Sequence, residues 1–378
     1  MNLKLHIFQL ILLLSISGCD GPLEKVHMKD ENLSTPNQIV TRDRRIAIGY
    51  DVVLGVKNDG SVWSWGCDWK GLLARSVPER YCPKEALIPG KIMGLPPARS
   101  VYISLDETMY VLARNGTIWW WRGKKGLNTH AQANMPPQRI PNLDGVIDVS
   151  VGSKGGYATT NVGKLYRFYI SYDVNADRTQ SLKLIDSTLA LKRIDGSYGI
   201  DQEGNLYKIL ADNPNQIKRF EKIKAPSKVV DFSYIGNGLI VLLDNGHIWR
   251  QGTSNSVIPT GIYPHLSRVR LIAGGYRKVA AWTEDGRLVA FGGAVESSGQ
   301  ESTKELFRVA STKPSLFAKD MSIKDIYADR HTVAAVDVND NVWFMMSNAH
   351  GQFGIESINS DSDDDSWRSL HRSLFSLK

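Results

Sequence analysis

The histidines and serines of this sequence do not have the spacing that hydrolytic catalysis requires. A nucleophilic triad places a serine or cysteine beside a histidine, and many such enzymes carry the serine in a Gly-x-Ser-x-Gly turn. The histidines are scattered, for example at positions 247, 331 and 350, and no serine lies in such a turn. No His-x-x-x-His or Cys-x-x-Cys pair and no phosphate-binding loop occurs. The sequence therefore predicts a protein that is not an enzyme, with no catalytic residues, no metal and no cofactor.

A run of carboxylates near the C terminus resembles a calcium-binding loop only superficially. Asp361 to Asp365 carry carboxylates at alternate positions, as a calcium loop does. The sharp turn after Asp365 lacks its glycine, and the twelfth position of the loop is Arg372 where the site needs a glutamate. We therefore interpret this run as a solvated acidic segment of a C-terminal tail.

The N terminus carries residues whose chemistry is lipid attachment. Asn2 and Lys4 precede an apolar stretch, residues 5–16, which is too short to span a bilayer. The stretch ends in Ile-Ser-Gly-Cys19, which resembles the lipobox of bacterial lipoproteins. We predict a signal peptide over residues 1–18 and a lipid on Cys19; the alternative is a cytosolic protein with a hydrophobic N terminus. Asp20 resembles the signal that retains such lipoproteins in the inner membrane, so we expect a periplasmic protein anchored there.

Two further cysteines remain for the folded part of the chain. Residues 19–41 are polar and contain two prolines, which predicts a lipidated tether. In an oxidising compartment Cys67 and Cys82 are expected to pair and to close one loop; two buried free thiols are the alternative, and a metal site is a weaker one. The net charge of +7 favours acidic partners. Export from the cytoplasm excludes nucleic acid as a partner.

A hairpin pattern recurs along the rest of the chain. Its clearest copy is residues 51–66, in which two apolar and aromatic runs flank Asn-Asp-Gly. Glycine supplies the positive φ of a tight turn, so each copy predicts a β-hairpin. The core of the pattern is Gly, any residue, an aliphatic residue and an aromatic one. Its turn glycines are Gly60, Gly116, Gly163, Gly204, Gly246 and Gly286, and Asp340 takes the seventh place.

The spacing of these turns indicates the architecture. Successive turns are 40 to 56 residues apart, a period that, when built from strands, is typical of propeller blades. Glycines also keep register on both sides, with Gly49 and Gly275 eleven residues before their turns and Gly66 and Gly252 six after theirs. Seven copies predict seven blades.

The repeats resemble those of the regulator-of-chromosome-condensation (RCC1) family. The family repeat ends in Asn-x-x-Gly-Gln-Leu-Gly, which appears here as residues 348–354 in Asn-Ala-His-Gly-Gln-Phe-Gly. The resemblance implies an all-β, seven-bladed RCC1-like β-propeller, over residues 42–356. It departs from the family where most of the tails are missing and where the seventh turn lacks its glycine. We expect residues 44–49 to pair in the blade that also contains late residues, and residues 357–378 to form a tail that packs on or closes the propeller.

One aromatic and basic run is the candidate partner-binding surface. Tryptophan and arginine are enriched at binding hot spots, and the lysines that follow suit acidic groups. In a strand, one face of the run packs in the blade and the other is left partly outside. The alternative is that all three tryptophans pack between sheets. The run consists of Trp119, Trp120, Trp121, Arg122, Lys124 and Lys125.

These observations lead to a hypothesis about function. The resemblance implies protein binding, and we expect a membrane-anchored periplasmic propeller, monomeric by itself, that occludes a protein partner. One version is an immunity or inhibitor protein against a secreted toxin or hydrolase, for example a lipase effector. Two alternatives are a scaffold for envelope assembly and a glycan- or peptidoglycan-binding protein or enzyme.

Overall fold

The structure is a computed structural model. It describes residues 42–378 except 68–70, 79–81, 124–135, 153–154, 171–179, 211–218, 237, 253–259, 276–278, 292–314, 330–331, 347–350 and 356–370. Within these ranges, no helix is long and apolar enough to cross a membrane.

The described residues form seven antiparallel sheets of four strands each, and each sheet is one contiguous stretch of chain. First strands of neighbouring blades contact each other, for example β1 (Ile46–Ile48) with both β5 (Ala98–Ile103) and β25 (Ile323–Asp329), so the sheets stand around a ring as propeller blades. The prediction of an all-β, seven-bladed propeller is confirmed. The strands of the seven blades are, in order, β1 Ile46–Ile48, β2 Val52–Val56, β3 Val62–Gly66 and β4 Gly90–Lys91; β5 Ala98–Ile103, β6 Thr108–Ala113, β7 Ile118–Arg122 and β8 Gln138–Arg139; β9 Val146–Gly152, β10 Gly155–Thr160, β11 Leu165–Ile170 and β12 Gln180–Asp186; β13 Arg193–Asp195, β14 Tyr198–Ile200, β15 Leu206–Ile209 and β16 Phe220–Ile223; β17 Val229–Tyr234, β18 Gly238–Leu243, β19 Ile248–Gly252 and β20 Gly261–Ile262; β21 Val269–Gly274, β22 Val279–Thr283, β23 Leu288–Phe291 and β24 Ser315–Ala318; β25 Ile323–Asp329, β26 Thr332–Asp337, β27 Asn341–Met346 and β28 His371–Ser376.

Tight turns join the second and third strands of every blade. The six repeat glycines all lie in these turns, with φ between +75° and +89°. In the seventh turn Asp340 takes the same left-handed conformation, at φ +70°. The carboxylate of Asp337 supports this turn by accepting hydrogen bonds from the backbone N–H groups of Asn339 and Asn341, both at 2.9 Å. Side-chain bonding therefore replaces glycine where the repeat has lost it.

Because the strands alternate in direction, the ring has two distinct ends. At the mouth end the first strand of each blade finishes and the second begins, as at Ile48 and Val52. At the turn end the second strand gives way to the third, as at Val56 and Val62. The third strands finish at the mouth end, so the connections to the fourth strands start there.

The apolar core lies between blades, because each sheet packs its faces against its neighbours. One cluster of buried residues joins Leu54 and Trp121 across the first and second blades. Another joins Trp120 and Phe168 across the second and third. A single blade cannot bury its faces alone, so the fold depends on the complete ring.

The ring closes without a shared blade. We expected residues 44–49 to pair in the blade that contains late residues, and this is wrong, because β1 pairs with β2 in a blade of its own. The late residues instead complete the seventh blade, in which β28 is the outer strand. Side chains make the closure: the ring of Phe375 lies 4.9 Å from that of Trp65. The indole N–H of Trp65 donates to the backbone oxygen of Gln352 at 2.9 Å.

A disulfide joins Cys67 to Cys82, with the Cα atoms 4.3 Å apart. It closes the connection between β3 and β4, which contains the short helix α1, Lys84–Leu87. Arg75 lies inside this loop and donates to the backbone oxygens of Ala86 and Ile88, at 3.1 and 2.8 Å. The connection is therefore fixed both covalently and by hydrogen bonds to α1.

The closure can be tested at Gly55, where an added Cβ would lie 2.5 Å from the ring of Phe375. Gly55→Val should lower the free energy of unfolding by about 1–3 kcal/mol through overpacking. Phe375→Ala should lower it by about 3–5 kcal/mol, because that ring is buried. We expect the double variant to lose less than the two changes together, since the valine fills part of the vacated space.

Denaturant unfolding of the single and double variants measures this coupling. Gly55→Val combined with Phe168→Ala is the control, because Phe168 is buried in the cluster between the second and third blades. That pair should be additive. Equal additivity for Gly55 and Phe375 would refute the closure contact.

Candidate functional site

Acidic and basic side chains alternate along the inner wall of the ring. Arg193 Nε lies 3.0 Å from Asp231 Oδ1, and Arg42 Nη1 lies 2.8 Å from Asp325 Oδ1. Arg42 Nη2 also lies 3.7 Å from Asp231 Oδ2, so one guanidinium serves two carboxylates. Asp148 continues the series on the other side of Arg193, whose charge acts on its carboxyl group. We call these five residues the charge belt.

The three aspartates of the charge belt occupy equivalent places in their blades. Asp148, Asp231 and Asp325 lie on the first strands β9, β17 and β25, each fifteen residues before the turn position of its blade, at 163, 246 and 340. Each carboxylate accepts a hydrogen bond from the backbone N–H of the next residue, at 2.7 to 2.9 Å. These three aspartates were not predicted from the sequence. The fixed distance to the turn was the signal that could have found them.

Burial and charge shift the titration of this belt. Burial raises the pKa of the Asp148 carboxyl, against the lowering effects of Arg193 and of hydrogen bonds. Burial likewise raises the pKa of Asp325, although Arg42 opposes the shift. Burial alone would lower the pKa of Arg42, but the charges of Asp325 and Asp231 outweigh it and raise the pKa. Arg42 therefore remains a cation inside the ring.

The segment before β1, residues 42–45, lies inside the ring and contacts opposite blades. Arg42 reaches the fifth and seventh blades through the charge belt and donates to the backbone oxygen of Ile272 in the sixth. The backbone N–H of Arg44 donates to Ser100 Oγ in the second blade at 3.0 Å. The backbone N–H of Arg45 donates to the hydroxyl of Tyr327 in the seventh at 3.2 Å. We call these four residues the inner strap.

A pocket of about 450 Å3 opens at the mouth end. Residues from the second to the seventh blades line it, together with Arg42 and Arg44 of the inner strap. Its lining runs along β9 from Asp148 to Gly152, a depth of about 13 Å at 3.3 Å per residue. Four residues, Arg42, Arg44, Asp148 and Arg193, therefore form the deep end of the pocket, and the ends of the first strands form its rim.

Aromatic rings hold two arginines that line the pocket. The guanidinium of Arg44 lies 5.8 Å from the ring centre of Tyr102. That of Arg167 lies 5.0 Å from the centre of Tyr157 and 4.7 Å from that of Tyr169. Leu105 and Tyr169 leave 51% and 39% of their surface exposed at the rim. The pocket thus combines cations, aromatic rings and an apolar rim.

Burial removes two tryptophans from the candidate partner-binding surface. Trp120 and Trp121 are 1% and 0% exposed, and each lies in the core cluster on its own side of β7. The indole N–H of Trp121 donates to the backbone oxygen of Leu72 at 2.8 Å, which fixes the ring inside. Trp119 and Arg122 are only partly buried. Our surface prediction is corrected for Trp120 and Trp121, because blades pack on both faces of the strand.

Several residues that the sequence singled out lie outside the described residues. They are Cys19, Asp20, Lys124 and Lys125. Over the ranges that the structure does describe, no group of three or more histidine, cysteine and carboxylate side chains could hold a metal ion.

The seven four-stranded sheets around one ring define the class of this chain as a β-propeller. No protein-family model matches it, and no curated protein matches it. Among solved structures, PorZ, an essential bacterial surface component of the type-IX secretion system of Porphyromonas gingivalis, aligns with a TM-score of 0.51 and 10% identity over 90% of this chain and 39% of that one. This likeness is one of fold.

Two further structures align less closely. Yeast RCC1 (Prp20), solved bound to Kap60, has 15% identity over 84% of this chain and 73% of that one, with a TM-score of 0.43. Human WBSCR16 has 16% identity over 88% and 83%, with the same TM-score of 0.43.

The first prediction from the charge belt concerns Arg42. Arg42→Met would leave Asp231 and Asp325 buried without their shared cation, and we expect the free energy of unfolding to fall by about 3–5 kcal/mol. Arg287→Met is the control, because Arg287 pairs with Asp285 on the exposed surface and should change stability far less. Denaturant unfolding measures both. Equal losses in the two variants would show that Arg42 does not hold the ring together.

The second prediction concerns the pH dependence that Asp148 contributes. Its folded pKa is raised, so the unfolded carboxyl, which titrates near 3.9, ionises at a lower pH than the folded one. The free energy of unfolding of the wild type, relative to Asp148→Asn, should therefore fall as the pH rises from about 4 through the folded pKa. Other carboxyl groups titrate in both proteins and cancel in the difference. A difference that grows with pH would mean that Arg193 outweighs burial.

Proposed function

We propose that this protein binds another protein at the mouth end of the propeller. The observation that carries the proposal is the pocket of about 450 Å3, lined by arginine and tyrosine side chains and rimmed by exposed Leu105 and Tyr169. Tyrosine and arginine are the side chains that most often dominate binding energy at protein interfaces. A rim that exposes apolar surface around a concave centre suits a protruding loop of a partner.

We propose binding without catalysis. Two carboxylates of the pocket take part in bonds that hold the blades. Asp148 accepts from the Tyr102 hydroxyl at 3.1 Å and from the backbone N–H of Ile194 at 2.8 Å. Asp195 accepts from the backbone N–H of Tyr234 at 2.9 Å. Such carboxylates position strands, and a general acid or base would need access to substrate.

For the location, we propose a lipid on Cys19 that anchors the propeller on the periplasmic side of the inner membrane. The support comes from the lipobox-like Ile-Ser-Gly-Cys19 with Asp20 after it. The disulfide between Cys67 and Cys82 agrees with an oxidising compartment. A tethered, non-catalytic binding protein acts by covering its target, so we propose an immunity or inhibitor protein that occludes a secreted toxin or hydrolase, for example a lipase effector.

The proposal is tested by cross-linked affinity purification of the full-length protein from cells, with mass spectrometry of the proteins that co-purify. Leu105→Asp should lower partner recovery about tenfold or more, because a buried charge at the rim is costly. Val162→Asp is the matched control, since Val162 is equally apolar, 69% exposed and next to the turn at Gly163. In the same cells, Cys19→Ser should move the protein out of the membrane fraction.

Each outcome changes the proposal in a defined way. A single stoichiometric secreted toxin or hydrolase, lost in Leu105→Asp alone, supports the inhibitor. Envelope-assembly proteins would favour the scaffold, and recovery of no protein would favour glycan or peptidoglycan binding. Equal recovery with both variants would place the interface away from the mouth end. Unchanged membrane association of Cys19→Ser would contradict the lipid anchor.

A further inference from the structure

We propose that Arg44, at the deep end of the pocket, binds the carboxylate of an aspartate or glutamate at the tip of a partner's loop. The inference rests on the proposed function, because it names the chemistry that a protein partner would insert at the mouth end. Four features of the structure support it: the hydrogen bonds of the Arg44 backbone, the N–H donors of its guanidinium, the ion pairs of the neighbouring charges, and the depth of the pocket.

The backbone of Arg44 is fixed independently of its side chain. Its N–H donates to Ser100 Oγ at 3.0 Å, and its carbonyl oxygen accepts from the backbone N–H of Val101 at 2.8 Å. These bonds tie the inner strap to the first strand of the second blade. A substitution of the Arg44 side chain therefore keeps the bonds that position the residue.

Within the ranges that the structure describes, no anion pairs with the guanidinium of Arg44. Its side chain makes a contact with the ring of Tyr102, and among the described residues it makes no ion pair and donates no hydrogen bond. Arginine carries five N–H donors in one plane, and an arginine over an aromatic ring can still present the edge of that plane. A carboxylate binds this edge with two parallel hydrogen bonds. Arg44 thus offers the group that a carboxylate fits.

The other charges at the deep end are already engaged. Arg42 serves Asp325 and Asp231, and Arg193 pairs with Asp231. Asp148 accepts hydrogen bonds from the Tyr102 hydroxyl and two backbone N–H groups. Among the described residues, Arg44 is therefore the arginine at the deep end that pairs with no carboxylate, and an incoming anion can bind it.

The depth of the pocket and the charge of the protein indicate what reaches Arg44. The lining extends about 13 Å inward along β9, so a flat surface cannot touch the deep end, but a protruding loop can. The net charge of +7 attracts acidic proteins. A loop also covers the exposed rim at Leu105 and Tyr169 as it enters, which adds apolar burial to the charge contact.

The experiment is a selection of displayed random loops, each closed by a disulfide, on the full-length protein purified in detergent. Loops that bind the wild type should be enriched in aspartate or glutamate at the tip. For the strongest loop, Arg44→Gln should weaken binding about tenfold or more, the loss expected when a hydrogen-bonded charge is removed. Arg44→Lys should recover part of it, and Arg287→Gln, at the turn between β22 and β23, should leave it unchanged.

The outcomes separate this inference from the proposed function. Selected loops that compete at the mouth end but lack acidic residues, or bind Arg44→Gln as tightly as the wild type, overturn the inference and leave protein binding in place. Enrichment of no loop counts against both. The last test replaces the acidic tip residue of a selected loop by glutamine. If this change weakens binding to the wild type by the same factor as Arg44→Gln, and does not weaken binding to the Arg44→Gln variant any further, a direct contact between the loop carboxylate and Arg44 is supported.

Discussion

The contact between the first and seventh blades is the constraint on which the rest of the molecule depends. Every other blade is joined to the next by the chain itself, but these two meet only through side chains and backbone hydrogen bonds. Phe375 fills the space beside Gly55 and packs on Trp65. The backbone N–H of Asn58 donates to the oxygen of Leu377 at 2.6 Å. Since each blade buries its faces only against neighbours, an open ring would expose apolar surface on two blades at once.

The inner strap joins this closure to the pocket. Arg42 brings a charge into the ring, and its desolvation is offset by two carboxylates that come from blades far apart in sequence. The same four residues place Arg44 at the deep end of the pocket. The stability of the ring and the proposed binding site therefore share residues, so the geometry of the pocket depends on the closure of the ring. The other four residues of the charge belt lie on the first strands of their blades, which line the pocket.

Sequence alone was sufficient for the blade count and the turns, because each depends on local spacing. The pairing of Cys67 with Cys82 was expected from an oxidising compartment, with two free thiols as the alternative, and the structure joins them. A glycine that must take a positive φ leaves a signal at one position, and six such glycines, with Asp340 in the seventh place, set the period. The contact that closes the ring between the first and seventh blades could not be predicted, because it depends on which side chains, far apart in the sequence, come into contact. The burial of Trp120 and Trp121 was not predicted for the same reason. Alternation along β7 predicts one outward face, but neighbouring blades cover both faces, so these two tryptophans are buried.

The two ends of the propeller differ in how readily they accept inserted residues, and this difference supports the proposed binding at the mouth end. At the turn end the carbonyl oxygens of Gly60, Gly116 and Gly246 accept hydrogen bonds from Ala98, Val146 and Val269, which lead into the next blade. An insertion there would break the link between blades. At the mouth end β3 stops at Gly66 and β4 starts at Gly90, and β27 stops at Met346 before β28 starts at His371. Long connections start from the mouth end, so chain can be added around the pocket at little cost to the ring.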